Sequence, residues 1–143
     1  MRNVSKNLFR GRIGRRDFFL AYLILLLLLF GIFLPLNFES VALGLYLYFF
    51  IPIILVFLIL GISLQVRRLH DMNFSGLFIF VMVISIIMAK SGSDWGRIFY
   101  YIDALYWAVL FFSPGKNENN KYGDVSSKNF NLVRTFFNIG RFF

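Results

Sequence analysis

The sequence lacks several residue types on which common functional sites depend. It has no cysteine and a single histidine, His70, which excludes disulfide frameworks, thiolate chemistry and multi-histidine metal sites. We therefore expect no metal and no cofactor. Charged residues are also scarce, at 15%, whereas 59% of the 143 residues are hydrophobic. A water-soluble protein of this size has too little interior to bury so much apolar surface, so the excess must contact lipid or a partner.

Four apolar runs lie along the chain, at about 18–36, 41–66, 74–89 and 98–112. A membrane-spanning helix needs about 20 apolar residues, and the first two runs approach or exceed that length. The third and fourth are shorter, so a re-entrant hairpin is an alternative to two full spans. The pattern predicts an all-α membrane protein with four transmembrane helices. It comprises one integral-membrane domain over residues 1–123 and a tail over 124–143.

Lysine and arginine are distributed unequally among the segments that connect these runs. Thirteen of the 15 lie before the first run, between the second and third, or after the fourth; Lys90 and Arg97 lie between the third and fourth. Positive residues near span ends are retained in the cytoplasm, so both termini are predicted to be cytoplasmic. This topology explains the net charge of +8, so nucleic-acid binding need not be invoked. The sequence shows no nucleic-acid recognition fold, and we expect no nucleic-acid partner.

The stretch R-R-L-H-D at 67–71 is the densest group of functional side chains. In a helix, Arg67 and Asp71 are four residues apart and are predicted to pair, which leaves Arg68 and His70 to meet a phosphate or a carboxylate. With the basic residues that precede the first span, they form a candidate site for an anionic lipid headgroup or a phosphorylated ligand. Its members are Arg12, Arg15, Arg16, Arg67, Arg68, His70 and Asp71. In the alternative interpretation the arginines snorkel at helix ends and Asp71 is their internal counter-ion.

Asp103 is the only acidic residue inside a predicted span. Acidic residues are costly in lipid and often belong to proton or ion paths, so Asp103 is a candidate intramembrane polar site. Ser63 and Gln65 are the other residues expected to line such a path. The alternative is a structural role, because Asp103 lies near the start of its span, where a carboxylate can reach water or pair with Arg97.

The tail alternates apolar residues with basic ones between 128 and 143. As a helix, it would lie on an anionic membrane surface. The alternative is a disordered basic tail.

Three blocks of the sequence resemble the motifs of the bacterial domain-of-unknown-function family 805. They are F-R-G-R-I-G-R-R-D-F-F at 9–19, R-R-L-H-D with S-G at 67–76, and G-K-N leading to N-K-Y-G at 115–123. Members are small inner-membrane proteins, so the resemblance implies a multi-pass protein of the bacterial inner membrane. Where the family often has tryptophan, this sequence has Phe19 and Leu77-Phe78. Each block flanks a predicted cytoplasmic span end, so the three motifs are expected to meet at that face.

The resemblance supplies no reaction, because none is assigned to the family. The leading interpretation is a non-enzymatic interaction module whose cytoplasmic Arg/His/Asp cluster engages anionic lipid or a partner protein. The alternative is a subunit of a small transporter or channel. An enzyme ranks third, since His70 is the only candidate base and Ser75 the only clear hydroxyl partner. The expected partners are membrane lipids, a membrane protein or a second copy of the chain.

Overall fold

The computed structural model of the protein describes residues 8–33, 43–90, 94–124 and 130–137. Every regular element within these ranges is a helix, which confirms the all-α class for the described residues. The helices are α1 (Arg15–Phe33), α2 (Leu43–Asp71), α3 (Ile79–Ala89), α4 (Asp94–Phe112) and α5 (Leu132–Phe137), and a 3₁₀ turn (Gly76–Phe78) leads into α3.

The helices follow the four predicted runs but differ from them at their ends. Residues 34–42, which include the end of the first run and the start of the second, lie outside the described residues. Helix α2 continues to Asp71, so the whole R-R-L-H-D stretch is helical. Helix α4 begins at Asp94 and has 19 residues, so at about 1.5 Å per residue it is nearly 30 Å long. Helix α4 is therefore longer than the apolar run within it, because it begins four residues before the run, whereas α3, with 11 residues, is short.

Helix α1 runs antiparallel to both α2 and α4. At one end, Ile13 N, just before α1, donates to Arg67 O in the last turns of α2 at 3.2 Å. Along α4, the ring of Phe18 packs on Phe111, and that of Tyr22, one turn later, packs on Trp107. The start of α1 therefore lies beside the ends of α2 and α4.

Helices α2 and α4 run in the same direction. Gln65 of α2 bonds with Tyr106 of α4, and Arg68, one turn later, bonds with Leu110. One end of the bundle therefore contains the start of α1, the end of α2 and the end of α4. We call it the capped end. The three motifs lie there, so the prediction that they meet is confirmed.

The buried core is concentrated at the capped end. Its members come from the segment before α1, from α1, α2, α4 and α5, and from Met72: Ile13, Phe18, Ala21, Leu25, Leu64, Leu69, Met72, Leu110 and Phe136. Away from this end, large apolar side chains face outward: Leu27 and Phe30 of α1 are 61% and 66% exposed, and Ile87 of α3 is 64% exposed. Packing of apolar side chains within the protein therefore stabilises mainly the capped end of the bundle.

A partly buried chain of polar side chains joins α1, α2 and α4. Tyr106 Oη donates to Gln65 Oε1 at 3.1 Å, and Gln65 Nε2 donates to Tyr22 Oη at 3.2 Å. Ser63 Oγ donates to Leu8 O at 2.6 Å. Ser63 and Gln65 thus both bond other segments of the protein, and their lining a polar path with Asp103 stays a prediction.

One helical segment among the described residues is long and apolar enough to cross a membrane. This segment, Phe50–Asp71, has a mean hydropathy of 2.3, and only 22% of its apolar window is buried. The next helical segment, Gly76–Ala89, is apolar but shorter. A core helix of a water-soluble protein would be mostly buried, so the low burial favours contact with lipid.

Candidate functional site

The centre of the capped end is the carboxylate of Asp71, which lies between two guanidinium groups. Arg12 Nε donates to Asp71 Oδ1 at 3.1 Å, and Arg68 Nη1 donates to Asp71 Oδ2 at 2.7 Å. All three side chains are buried, and Arg68 is 0% exposed. We call this arrangement the Asp71 clamp. It joins the first motif to the second through charge-assisted hydrogen bonds, which are stronger than neutral ones.

Arg68 also holds the end of α4. Its Nε donates to Leu110 O at 2.9 Å, and its Nη2 donates to Ser113 O. The last carbonyl groups of a helix have no partner within the helix, and burial without a partner is costly. A guanidinium has five N–H donors in a fixed plane, so Arg68 serves the Asp71 carboxylate, one α4 carbonyl and the carbonyl of the residue that follows α4 at once.

Arg12 donates to backbone carbonyls of the segment that follows α4. We call residues 113–124 the strap. Arg12 Nη1 donates to Glu118 O at 2.7 Å, and Arg12 Nη2 donates to Lys116 O. The strap carries the third motif, so Arg12 of the first motif binds the second through Asp71 and the third through backbone carbonyls.

The end of α2 is capped by the strap as well. Asp71 O accepts from Lys116 N at 3.0 Å, and His70 O accepts from Asn120 Nδ2 at 2.8 Å. Asn73 has φ 68°, the left-handed conformation that commonly terminates helices and that asparagine tolerates. The α2 carbonyls left open by helix termination are therefore satisfied by other motifs.

His70 lies between the first and third motifs. Its Nδ1 is 3.3 Å from Gly11 O, and its ring stacks on Tyr122 with centroids 3.8 Å apart and planes 7° from parallel. The imidazole is half-buried. Its position makes it a packing element of the cap, with one nitrogen directed at a backbone carbonyl.

The predicted pairing of Arg67 with Asp71 is wrong. Residues three and four positions apart are both within reach on a helix, and the structure pairs Asp71 with Arg68 instead. Arg67 Nη1 donates to Thr135 O of α5 at 2.5 Å. Helix α5 thereby docks on the bundle, with Phe136 buried. The helical interpretation of the tail thus holds for Leu132–Phe137; residues 125–129 and 138–143 lie outside the described ranges.

The structure divides the predicted binding cluster into an inner and an outer set. Arg12, Arg67, Arg68 and Asp71 are buried and bonded to protein. Arg15 and Arg16, at the start of α1, are exposed, and Arg15 Nη1 donates to Phe112 O at 3.3 Å. An external anion therefore meets the outer set first. The described residues contain no group of three or more metal-ligating His, Cys, Asp or Glu side chains.

Gly115 is a functional position that the sequence reasoning did not identify. A Cβ at this residue would overlap Asp71 Oδ2 and lie 2.7 Å from Asp71 Cγ. The strap can approach the clamp this closely only because residue 115 has no side chain. The G-K pair of the third motif marks the position, but its reason becomes visible only in the folded contact.

We predict that Gly115→Ala separates the strap from the clamp. Overpacking of this kind costs about 1–3 kcal/mol, so the melting temperature should fall and trypsin should cleave faster at the exposed Lys116 and Lys121. The matched control is Gly31→Ala, because a Cβ at Gly31 meets nothing within 4 Å. Equal digestion rates and melting temperatures for the two variants would contradict the close contact.

Comparison with known proteins gives one match. A family described as "Protein of unknown function (DUF805)" matches residues 8–124, a range that includes the clamp and the strap. No curated protein and no solved structure matches the chain. The three motifs that suggested the resemblance all fall within the matched range and assemble into one cap. The chain belongs to the DUF805 family.

Proposed function

We propose that the protein is a multi-pass, non-enzymatic protein of the bacterial inner membrane, whose capped end faces the cytoplasm and binds anionic phospholipid headgroups. Four helices, α1 to α4, cross or enter the bilayer in this arrangement. The proposal rests on three features: the outward-facing apolar side chains, the position of the charges, and the division of the arginines into an inner and an outer set.

The outward-facing side chains support membrane embedding. Monomeric soluble proteins rarely expose large contiguous apolar patches. Here the exposed set extends over all four helices, with Leu27 and Phe30 on α1, Leu58 on α2, Ile87 on α3 and Leu105 on α4. In a bilayer these side chains contact acyl chains instead of water.

The charge distribution supports the orientation. The described basic residues at the capped end include Arg10, Arg15 and Arg16 before or at the start of α1, and Lys116 and Lys121 on the strap. The opposite ends of α3 and α4 carry Lys90 and Arg97. Because positive residues accumulate on the cytoplasmic side, the capped end is the cytoplasmic one.

The observation that carries the lipid proposal is the position of Arg16. Arg16, Phe19 and Leu23 lie three and four residues apart on one face of α1, and all three are exposed. A cation directly above an apolar stripe lies at the headgroup level when the stripe contacts acyl chains. The inner arginines hold the cap together, so the outer ones are available to an anionic lipid.

We predict that Arg16→Gln lowers retention of phosphatidylglycerol by the purified protein. One basic residue near an anionic surface contributes about 1 kcal/mol, which corresponds to about a fivefold change in affinity. Retained lipid is measured by mass spectrometry after detergent exchange, and the difference should shrink at high salt, where charges are screened.

The control for Arg16→Gln is Lys90→Gln, which removes the same charge at the opposite end and should leave retention unchanged. Equal retention in the wild type and both variants would overturn the proposal. A protein that co-purifies with the wild type and is lost only in Arg16→Gln would assign the outer arginines to a protein partner instead.

A second candidate function, cation passage through an assembly of copies, is favoured by one observation. Asp103 Oδ1 on α4 is buried and has no hydrogen-bond partner among the described residues. An unpaired carboxylate oxygen in the apolar part of a membrane protein is costly unless it serves an ion or proton. Asp103 also lies one turn before Tyr106, which belongs to the polar chain across three helices.

For this candidate we predict cation flux in proteoliposomes that Asp103→Asn abolishes and Asp124→Asn leaves intact. Asp124 is the matched control because its carboxylate is exposed at the end of the strap. The measurement uses a panel of protons, sodium and potassium. Absence of wild-type flux for every ion in the panel would rule out passage and leave Asp103 as a structural residue.

A further inference from the structure

We infer that α3 and α4 match a thinner bilayer than α2 does, so that their outward surface selects phospholipids with short acyl chains. We call the outward surface of α3 and α4 the short side. The inference rests on the proposed function, because it requires these helices to lie in the bilayer. It adds a partner class defined by chain length, whereas the lipid of the proposed function is defined by its charged headgroup.

The short side is apolar and open to lipid. Phe80, Ile84 and Ile87 lie on successive turns of α3 and are exposed, and Leu105 near the middle of α4 is exposed as well. Helix α3 packs mainly on α4, so much of its circumference faces outward. In a membrane this surface contacts acyl chains, and its extent across the bilayer determines which chain lengths fit.

Helix α3 has a short apolar length. A Cβ at Gly76 would lie 2.9 Å from Val66 Cγ1, so the 3₁₀ turn that leads into α3 starts beside the last turns of α2 at the capped end. From Gly76 the 3₁₀ turn and α3 continue to Lys90, which is exposed. With about 2.0 Å per 3₁₀ residue and about 1.5 Å per α-helical residue, this distance is about 22 Å.

Helix α4 has a similar apolar length. Leu110 O accepts from Arg68 Nε, so the end of α4 lies level with the end of α2. Arg97 is exposed near the other end of α4, and the helix from Arg97 to Phe112 is about 22 Å long. Both helices of the short side therefore place a cation at about the same distance from the capped end.

Exposed aromatic side chains mark the same level. Trp95, Tyr100 and Tyr101 are exposed on the part of α4 that carries Arg97, and tryptophan and tyrosine favour the membrane–water interface. A long side chain such as that of Lys90 can extend its charged group outward to reach water. Tyrosine side chains have less reach, and Tyr100 and Tyr101 lie about one turn closer to the capped end than Arg97. The aromatic residues thus place the outer headgroups of the short side near Arg97.

The surface of α2 is longer. Tyr48 is exposed near the start of α2 and lies 18 residues before Val66, which is about 27 Å along the helix. This length is close to the hydrocarbon core of an ordinary bilayer, about 30 Å, whereas the short side is about 8 Å shorter than that core. Tilting would only reduce the extent of α3 and α4 across the membrane. The bilayer must thin to meet the short side, and short acyl chains need the least deformation to do so.

A tryptophan on each surface reports the lipid beside it. Trp95→Tyr and Trp107→Phe together remove both tryptophans of the chain, and Leu105→Trp then places one on the short side. Leu58→Trp is the matched control, because Leu58 is also exposed but lies on the face of α2 beside α1. Each protein is reconstituted in dioleoylphosphatidylcholine brominated on its acyl chains, which quenches the fluorescence of an adjacent tryptophan.

Unbrominated phosphatidylcholine of a different chain length then competes for the lipid positions beside each tryptophan. Dimyristoleoylphosphatidylcholine is the short-chain competitor and dierucoylphosphatidylcholine the long-chain one, and recovery of fluorescence measures the affinity of each. We expect the short-chain lipid to restore the fluorescence of Leu105→Trp more than the long-chain lipid does at the same fraction. For Leu58→Trp the short-chain lipid should have no such advantage.

Apolar residues at the outer ends of α3 and α4 should remove the preference. In the Leu105→Trp protein, Lys90→Leu with Arg97→Leu replaces the charge that ends each apolar length, so the short-chain lipid should lose its advantage. The matched control is Lys90→Gln with Arg97→Gln, which removes the same two charges but keeps a polar side chain at each end and should retain the preference. If the double leucine variant fails to fold, Arg97→Leu alone should weaken the preference.

Three results would overturn the inference. One is equal competition by the short-chain and long-chain lipids beside Leu105→Trp, and another is a short-chain preference that the leucine substitutions leave unchanged. The third is a dimer in which Leu105→Trp is not quenched although Leu58→Trp is, because a second copy would then cover the short side.

Failure of the proposed function is distinct from these results. All lipids in the test carry the same zwitterionic headgroup, so a protein that binds no anionic headgroup would still show the chain-length preference. A protein that lies outside the bilayer would show no quenching of either tryptophan.

Discussion

The cap depends on one buried carboxylate. Asp71 accepts from Arg12 and Arg68, and each of these arginines also donates to the backbone of another segment. Removing one partner of a buried ion pair typically costs about 3–5 kcal/mol, because the other charge is left uncompensated. The α2 end, the α4 end, the strap and the segment before α1 therefore depend on each other, and the capped end behaves as one structural unit.

The arginines of the motifs solve a problem of backbone chemistry. Two helices end side by side at the capped end, and their terminal carbonyls are covered by other segments and need donors. Arg12, Arg15 and Arg68 supply N–H groups to these carbonyls or to the strap. The charged side chains of the motifs thus have a structural role as donors to backbone carbonyls. It also separates the residues that build the cap from Arg16, which faces outward.

Much of this architecture could be predicted from the sequence. Apolar runs located the helices, and the motif positions predicted which helix ends meet. The partner of Asp71 within α2 could not be predicted, because Arg67 and Arg68 are both within reach of it on a helix. In the folded protein Arg68 donates to Leu110 O and Arg67 donates to Thr135 O. These acceptors come from distant parts of the chain, and they determine which arginine lies beside Asp71. The need for glycine at 115 likewise depends on the folded position of the strap. The start of α4 was misplaced because Asp94 and Arg97 interrupt the apolar pattern.

We propose that the motifs form one cytoplasmic cap on a membrane-embedded bundle. The 143-residue sequence has no cysteine, so a single introduced cysteine is the one thiol in it that a maleimide can label. Lys90→Cys and Lys116→Cys place a thiol at the two opposite ends of the bundle, both at exposed positions. In intact cells, a membrane-impermeant maleimide should label Lys90→Cys and should label Lys116→Cys only after the inner membrane is opened. Labelling of Lys116→Cys in intact cells, or of neither variant without lysis, would contradict the account.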